Sequence, residues 1–153
     1  MRRHPVLVVP DATVDSALEA ADACGVRHLL VAEVGELHGV VCVCDLWRAP
    51  GADPVFSRIA AESVTIAPAA PAALARLMMI RSDVDCLPVL RSGQLVGIVT
   101  RRDLRDIGLP VPETRCTYCK GTRHVRRVGV DDPLACFECR RSRGLSMAPF
   151  DRR

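Results

Sequence analysis

Aromatic side chains are scarce: one Trp, one Tyr and three Phe make up 3% of the 153 residues. Whatever core the chain buries is therefore aliphatic. Long apolar runs are missing as well. The first, Val6 to Val9, is stopped by Pro10 and is too short for a signal-peptide core or a membrane span. A soluble, cytoplasmic protein with no membrane partner is expected. His4, His28, His38 and His124 are scattered, and no nucleophile–base set accompanies them. Nothing resembles an active site, so the chain reads as a non-enzyme.

What is present bounds the rest. At 49% hydrophobic, the chain can bury one aliphatic core of domain size and carry a small appendage. Four of its eight cysteines, Cys24, Cys42, Cys44 and Cys86, lie singly or in apolar strand contexts and are expected to pack as small hydrophobes. The other four form paired ligand spacings near the C-terminus. Both groups suit a reducing compartment rather than a secreted disulfide scaffold. Charge divides the chain: residues 1–112 carry a net −2 and residues 113–153 a net +5. Gly108-Leu109-Pro110-Val111-Pro112 marks the border, where two prolines favour an extended connector.

An internal duplication organises the first segment. Gly39-Val40-Val41-Cys42-Val43-Cys44-Asp45-Leu46 recurs 58 residues later as Gly97-Ile98-Val99-Thr100-Arg101-Arg102-Asp103-Leu104. At the same offset Val6 matches Val64, Ala17 matches Ala75, Leu29 matches Leu87, Val31 matches Val89 and Gly35 matches Gly93, with no gap. A unit folded twice places a candidate ligand cleft between its copies.

Each copy reads β-α-β-β-α. In the first, Pro5 to Val9 is a strand, Asp11 to Thr13 supply N-cap candidates for a helix over Val14 to Ala23, and Cys24-Gly25 stop it. Val26 to Ala32 and Leu37 to Val43 form a hairpin about Val34-Gly35-Glu36, and Asp45 opens a short helix through Trp47. In the second, Val64 to Ala67 is a strand and Pro71 to Arg81 a helix whose first turn tolerates the proline. Cys86 to Leu90 and Leu95 to Val99 pair about Ser92-Gly93, and a helix over Arg102 to Ile107 closes the copy. Val55 to Ala61 reads as a helical lead-in. The two units are expected to pack through their sheets about a pseudo-twofold axis.

In this order and spacing, Asp85 to Leu90 followed by Leu95 to Leu104 resembles the cystathionine-β-synthase (CBS) domain family over about residues 5–108. The resemblance implies an α/β (α+β) fold of tandem CBS repeats, copy 1 over 1–52 and copy 2 over 53–109, usually dimeric through helical faces. It also implies adenosine-containing ligands in the clefts. The residue matching Asp103 would hold a ribose and that matching Thr100 would assist ribose or phosphate binding. Thr65-Ile66 and Cys86-Leu87-Pro88 would flank the base.

The chemistry of that ending can be argued from the residues as well. Thr100 and Asp103 sit three apart where a strand enters a helix, so their side chains share one side and the helix start adds partial positive charge. A carboxylate there can accept both hydroxyl protons of a ribose, and Arg101 or Arg102 can neutralise a phosphate. The alternative is that Thr100 and Asp103 merely cap the helix. Copy 1 offers a weaker second site of His28, Leu29, Cys42 and Asp45, with a cysteine in place of the threonine and no arginines.

After a linker over 110–114, residues 115–153 carry Cys116-Thr117-Tyr118-Cys119, sixteen intervening residues, then Cys136-Phe137-Glu138-Cys139. Two such knuckles joined by a hairpin supply the tetrahedral thiolate set that zinc favours, with Gly121 easing the first. The stretch resembles the zinc-ribbon class. A redox site, paired disulfides and an iron centre are the competing readings; one Cys-x-x-Cys would serve redox chemistry without the second, and a βαβ context is absent. His124 reads as a surface residue. The basic residues Arg115, Lys120, Arg123, Arg126, Arg127, Arg140, Arg141, Arg143, Arg152 and Arg153 suit nucleic-acid phosphates, an acidic protein partner or plain solvation. Only Tyr118 and Phe137 could stack on bases.

Two functions are expected in order: a sensor binding an adenine nucleotide and signalling through structural zinc to a protein partner, or a nucleic-acid-associated regulator with the repeat pair as a dimerisation scaffold. A metal-stabilised interaction protein without a small ligand is third.

Overall fold

The 58-residue repeat is reproduced pair by pair in the computed structural model, which describes residues 5–59, 63–122, 125–126 and 131–145. The chain divides into two compact units, Met1–Val111 and Pro112–Arg153.

In the first unit, β1 (Leu7–Val8) runs parallel to β2 (His28–Glu33), which pairs antiparallel with β3 (Glu36–Cys42). The second copy gives β4 (Cys86–Arg91) and β5 (Gln94–Thr100). His28 pairs with Cys42 as Cys86 pairs with Thr100, Val31 faces Gly39 as Val89 faces Gly97, and both hairpins slip register at the next residue. The expected first strand of copy 2 contracts to a single parallel bridge, Ile66 to Val89, which keeps the register of Val8 and Val31.

Helices cover one face of each hairpin. Thr13 caps α1 (Val14–Cys24) by accepting a hydrogen bond from the Ser16 amide at 3.2 Å, and Gly25 ends it in the left-handed region. Asp83, the residue matching Gly25, ends α3 (Ala72–Ser82) in the same conformation. Pro71 stands just outside α3 as its N-cap rather than in the first turn. The closing helices begin earlier than Asp45 and Arg102 suggested: α2 is Val43–Leu46 and α4 is Arg101–Asp106. The lead-in between copies is a 3-10 turn over Val55–Arg58; Ala61 lies outside the described residues.

Each copy has its own core. Val14, Ala17, Ala21, Leu29, Val31, Val41 and Leu46 are sealed in the first, and Ala75, Met79, Leu87, Val89 and Leu104 in the second. The copies meet through the opposite sheet faces. There Leu30, Cys86 and Ile98 are buried against Leu37, Val40 and Leu95, so the matched residues Leu37 and Leu95, and Val40 and Ile98, join one interface. Gly39 is required beneath it: a Cβ at that position would overlap the Ile59 side chain.

In the second unit β6 (Val125–Arg126) pairs antiparallel with β7 (Ala135–Cys136), and α5 (Phe137–Ser142) follows at once. The hairpin expected between the two knuckles is present as this pair, 127–130 lie outside the described residues, and α5 is not anticipated from the sequence. No helix among the described residues is long and apolar enough to cross a membrane.

The hairpin turn of copy 1 is a two-residue loop with both central residues at positive φ, Val34 at 51° and Gly35 at 82°. That is type I′ geometry, which favours Asn-Gly, and the left-handed conformation is costly for a β-branched residue. Val34 is 99% exposed and gains nothing from packing. Val34→Asn should therefore stabilise the protein by about 1 kcal/mol. Urea denaturation reads this as a higher midpoint at unchanged slope; an unchanged or lower midpoint would refute the turn assignment.

Candidate functional site

The two places predicted to bind ligand are the C-terminal ends of the hairpins, where β3 enters α2 and β5 enters α4. In copy 2 the backbone draws the expected residues together. Ile66 donates its amide to the Pro88 carbonyl at 3.0 Å, and Leu90 donates to the Ile66 carbonyl at 2.9 Å, which lays Thr65-Ile66 alongside β4. Cys86 sits directly across the ladder from Thr100, and Ile66, Cys86, Leu87 and Pro88 are all buried.

Thr100 and Asp103 form a complete capping box. The Thr100 hydroxyl and amide donate to Asp103 Oδ2 at 2.7 and 2.8 Å, and the Asp103 amide donates back to Thr100 Oγ1 at 3.3 Å. Partial burial opposes ionisation of this carboxyl, but the two donors from Thr100 hold it below its ordinary value. A carboxylate fixed at the mouth of the hairpin results.

The arginines are less simply placed than the sequence suggested. Arg101 Nε lies 2.6 Å from Asp85 Oδ1 and its guanidinium 3.9 Å from Asp83, so it is engaged with acidic neighbours of its own copy. Arg102 is 70% exposed and stands 4.0 Å from Asp106. Across the copies, His28 Nε2 lies 4.0 Å from the other oxygen of Asp85. The Asp85 carboxylate thus stands between Arg101 of copy 2 and His28 of copy 1, a juxtaposition that neither repeat displays alone. Burial pushes the Cys86 thiol up to about 12, with Asp85 adding to the effect, so it stays protonated at neutral pH.

Copy 1 differs where its sequence differs. Leu29 is fully buried, and His28, Cys42 and Asp45 are half-buried. Cys42 is the N-cap of α2 but makes no capping hydrogen bond through its side chain. It is joined instead to Cys44 as a disulfide. The expectation that four solitary cysteines pack in the core therefore holds for Cys44 and Cys86 only: Cys24 is exposed at the end of α1, and Cys42 is half-buried and bonded. Strand patterning missed the pair because it assigns adjacent positions without regard to the strand-to-helix corner that brings them together.

In the second unit Cys116, Cys119, Cys136 and Cys139 converge, with all four sulfurs within 4.8 Å of one another. The Cys119 and Cys136 sulfurs are 3.7 Å apart. The first knuckle is pinned by the Cys116 amide to the Gly121 carbonyl at 2.8 Å and by the Thr117 amide to the Leu134 carbonyl at 2.8 Å. Its left-handed residue is Lys120, at φ 60°, and not Gly121. Gly121 has a different role: a Cβ there would stand 3.3 Å from the Cys119 sulfur. Burial raises the Cys116 thiol, yet backbone amides of Cys119, Cys136 and Tyr118 pull it down to about 6. Burial and the neighbouring sulfurs push Cys139 up to about 12. Four sulfurs so close cannot all ionise alone, and a divalent cation would compensate them.

The basic surface is smaller than composition implied. Arg140 is 1% exposed, donates to the Pro133 carbonyl at 3.2 Å and lies 3.9 Å from Asp132, so it belongs to the interior. Arg143 stacks 4.1 Å from the centre of the Tyr118 ring. Arg123, His124, Arg127, Arg152 and Arg153 lie outside the described residues, as does the side chain of Arg126.

Residues 57–109 match the model of the CBS domain family. No curated protein matches the sequence. Among solved structures, a candidate acetoin utilization protein (AcuB) from Vibrio cholerae is 28% identical, covering 71% of this chain and 85% of that one, at a TM-score of 0.65. The cytosolic domain of the Mg2+ channel MgtE in complex with ATP is 26% identical over 67% of this chain and 44% of that one, at 0.62. A CBS domain protein from Pyrobaculum aerophilum complexed with AMP is 24% identical over 68% and 86%, at 0.63. The fold of the first unit is accordingly that of a CBS domain pair.

Proposed function

We propose that this protein is a non-enzymatic regulator that binds an adenine nucleotide at the second half-site and carries structural zinc in its C-terminal unit. The observation that carries this reading is the Asp103 carboxylate that Thr100 fixes at the corner where β5 enters α4, with Cys86 across the ladder from Thr100. Such a carboxylate accepts ribose hydroxyls, and Thr65-Ile66 and Cys86-Leu87-Pro88 would flank the base as the family resemblance implies. Related folds with bound AMP and ATP support the same chemistry. Arg102, exposed at the start of α4, is then the arginine suited to phosphate, because Arg101 is held by Asp85. In this reading domains 1–52 and 53–109 form the sensor, 110–114 the linker and 115–153 the zinc module, in the cytoplasm.

Binding should be asymmetric between the half-sites. Asp103→Ala should weaken adenine nucleotide binding by about 2 to 4 kcal/mol, with Asp45→Ala losing much less. Titration calorimetry with AMP, ADP and ATP decides it: equal losses would reverse the assignment of the competent site. No binding to the parent protein would favour the scaffold reading.

Zinc is favoured over redox chemistry because four sulfurs, not two, converge. Elemental analysis should find about one zinc per chain, and Cys136→Ser should release it and unfold the second unit while the repeat pair stays folded. A metal-free reduced protein with an intact second unit would refute the assignment. Nucleic-acid binding is less favoured, since Arg143 already covers a face of Tyr118.

A homodimer completes the proposal. Leu74, Leu77 and Ile80 lie along α3 and are each more than 40% exposed, with Ile107 at 60%. Surface of this kind is a candidate for burial against a second copy. Light scattering should give a dimer mass that Leu77→Glu reduces to a monomer; a monomeric parent at high concentration would remove this part of the reading.

A further inference from the structure

We propose that Cys42 and Cys44 form a reversible dithiol–disulfide site at the first half-site, in the position where the second carries its hydrogen-bonded cap. Cys42 matches Thr100, and Asp45 matches Asp103. At the second half-site the N-cap side chain turns back over the helix start and meets the residue three positions on. Cys42 has the same extended backbone at the same corner, with φ −92° and ψ 136°, and α2 begins at the next residue. Its side chain is thus aimed at the opening turn of α2, which holds Cys44. The two Cα atoms are 5.2 Å apart and the sulfurs are joined. Proximity is set by the corner, so the thiols remain neighbours when the bond is open.

Apart from the four cysteines gathered in the other unit, no second pair is present among the described residues: the Cys86 thiol is buried and held protonated, and Cys24 is exposed at the end of α1. Within the pair the roles differ by exposure. Cys42 is half-buried and open to an oxidant, whereas Cys44 is 3% exposed and suited to resolve the first product.

The chemistry balances with a hydroperoxide as oxidant. The Cys42 thiolate attacks the peroxide oxygen, forming a sulfenic acid and releasing an alcohol, or water from hydrogen peroxide. The Cys44 sulfur then attacks the sulfenic sulfur, the S–S bond forms and water leaves. Two thiols lose two protons and two electrons, and the O–O bond takes them up. A small dithiol reverses the step by exchange. The bond ties the N-cap to the second residue of α2, replacing by a covalent link the restraint that Thr100 supplies through hydrogen bonds. Asp45 has a carboxylate oxygen within 4.8 Å of both sulfurs, so its surroundings change with their state. Any effect on ligand affinity rests on the nucleotide reading; the thiol chemistry does not.

Residue-resolved thiol labelling of the zinc-loaded full chain tests this without a nucleotide. The reduced protein is treated with stepwise hydrogen peroxide, blocked with N-ethylmaleimide, digested and weighed. The peptide holding Cys42 and Cys44 should lose both labels together, become lighter by two hydrogens before Cys24 is oxidised, and regain both labels after dithiothreitol. Cys44→Ser should instead leave a sulfenic acid at Cys42 that dimedone traps. Amide exchange over 43–46 should be slower in the oxidised parent than in the reduced one, and Cys42→Ser should abolish that difference. Labels lost singly, a bond to any other cysteine, or protection that a chelator rather than dithiothreitol removes would each overturn the proposal. The last outcome would make Cys42, Cys44 and Asp45 a metal site.

Discussion

The contact between the two copies is the constraint on which the first unit depends. A two-stranded hairpin with helices on one side leaves its other face to water, and such a hairpin is marginal alone. Here the uncovered face of each hairpin is covered by its repeat, with Leu30, Leu37 and Val40 meeting Cys86, Leu95 and Ile98. Fully burying a side chain such as Leu30 or Ile98 is worth roughly 1.5 to 3 kcal/mol, so the cluster outweighs any single polar contact in the unit. Because matched residues lie on both sides of the interface, a change at one position has an echo at its copy. The closing corners are consequently held in matched positions at the ends of β3 and β5, and differences in chemistry between them arise from a few side chains.

Those corners show how one backbone takes two restraints. Thr100 and Asp103 close the second with hydrogen bonds among hydroxyl, amide and carboxylate. Burial would raise the Asp103 carboxyl, but Thr100 donates to it twice and keeps it charged. At the first corner the threonine is replaced by a sulfur that makes no side-chain cap and bonds instead to a second sulfur. The helix it opens is four residues long against six for its counterpart. Divergence after duplication has thus altered the restraint while leaving the aspartate in place.

Much of this was legible in the sequence because the repeat supplies each reading twice. The turn glycines 35 and 93, the helix stop at Gly25 and the two hairpins follow from the motifs and one gapless offset. The converging sulfurs of the second unit were legible from spacing alone, since two Cys-x-x-Cys turns leave few other arrangements. Other features were not. The first strand of copy 2 shrinks to the bridge at Ile66, an outcome that short apolar patterning cannot distinguish from a strand. The left-handed residue of the first Cys-x-x-Cys knuckle is Lys120 and not the neighbouring glycine, where a Cβ would stand 3.3 Å from the Cys119 sulfur. Arg140 reads as surface charge, yet it is buried against the Pro133 carbonyl, as a long side chain in a small unit can be when its head finds acceptors.

The ion pair between Arg101 and Asp85 explains why the candidate site is more than its motif. Read along the chain, Arg101 and Arg102 are equivalent phosphate partners; in space, Arg101 faces Asp85 and Asp83 while Arg102 faces solvent. His28 approaches the same Asp85 from the other copy. Asp85 thus stands between a guanidinium of its own copy and an imidazole of the other. That juxtaposition is available only to a tandem pair, because Asp85 and His28 come from different copies of the unit.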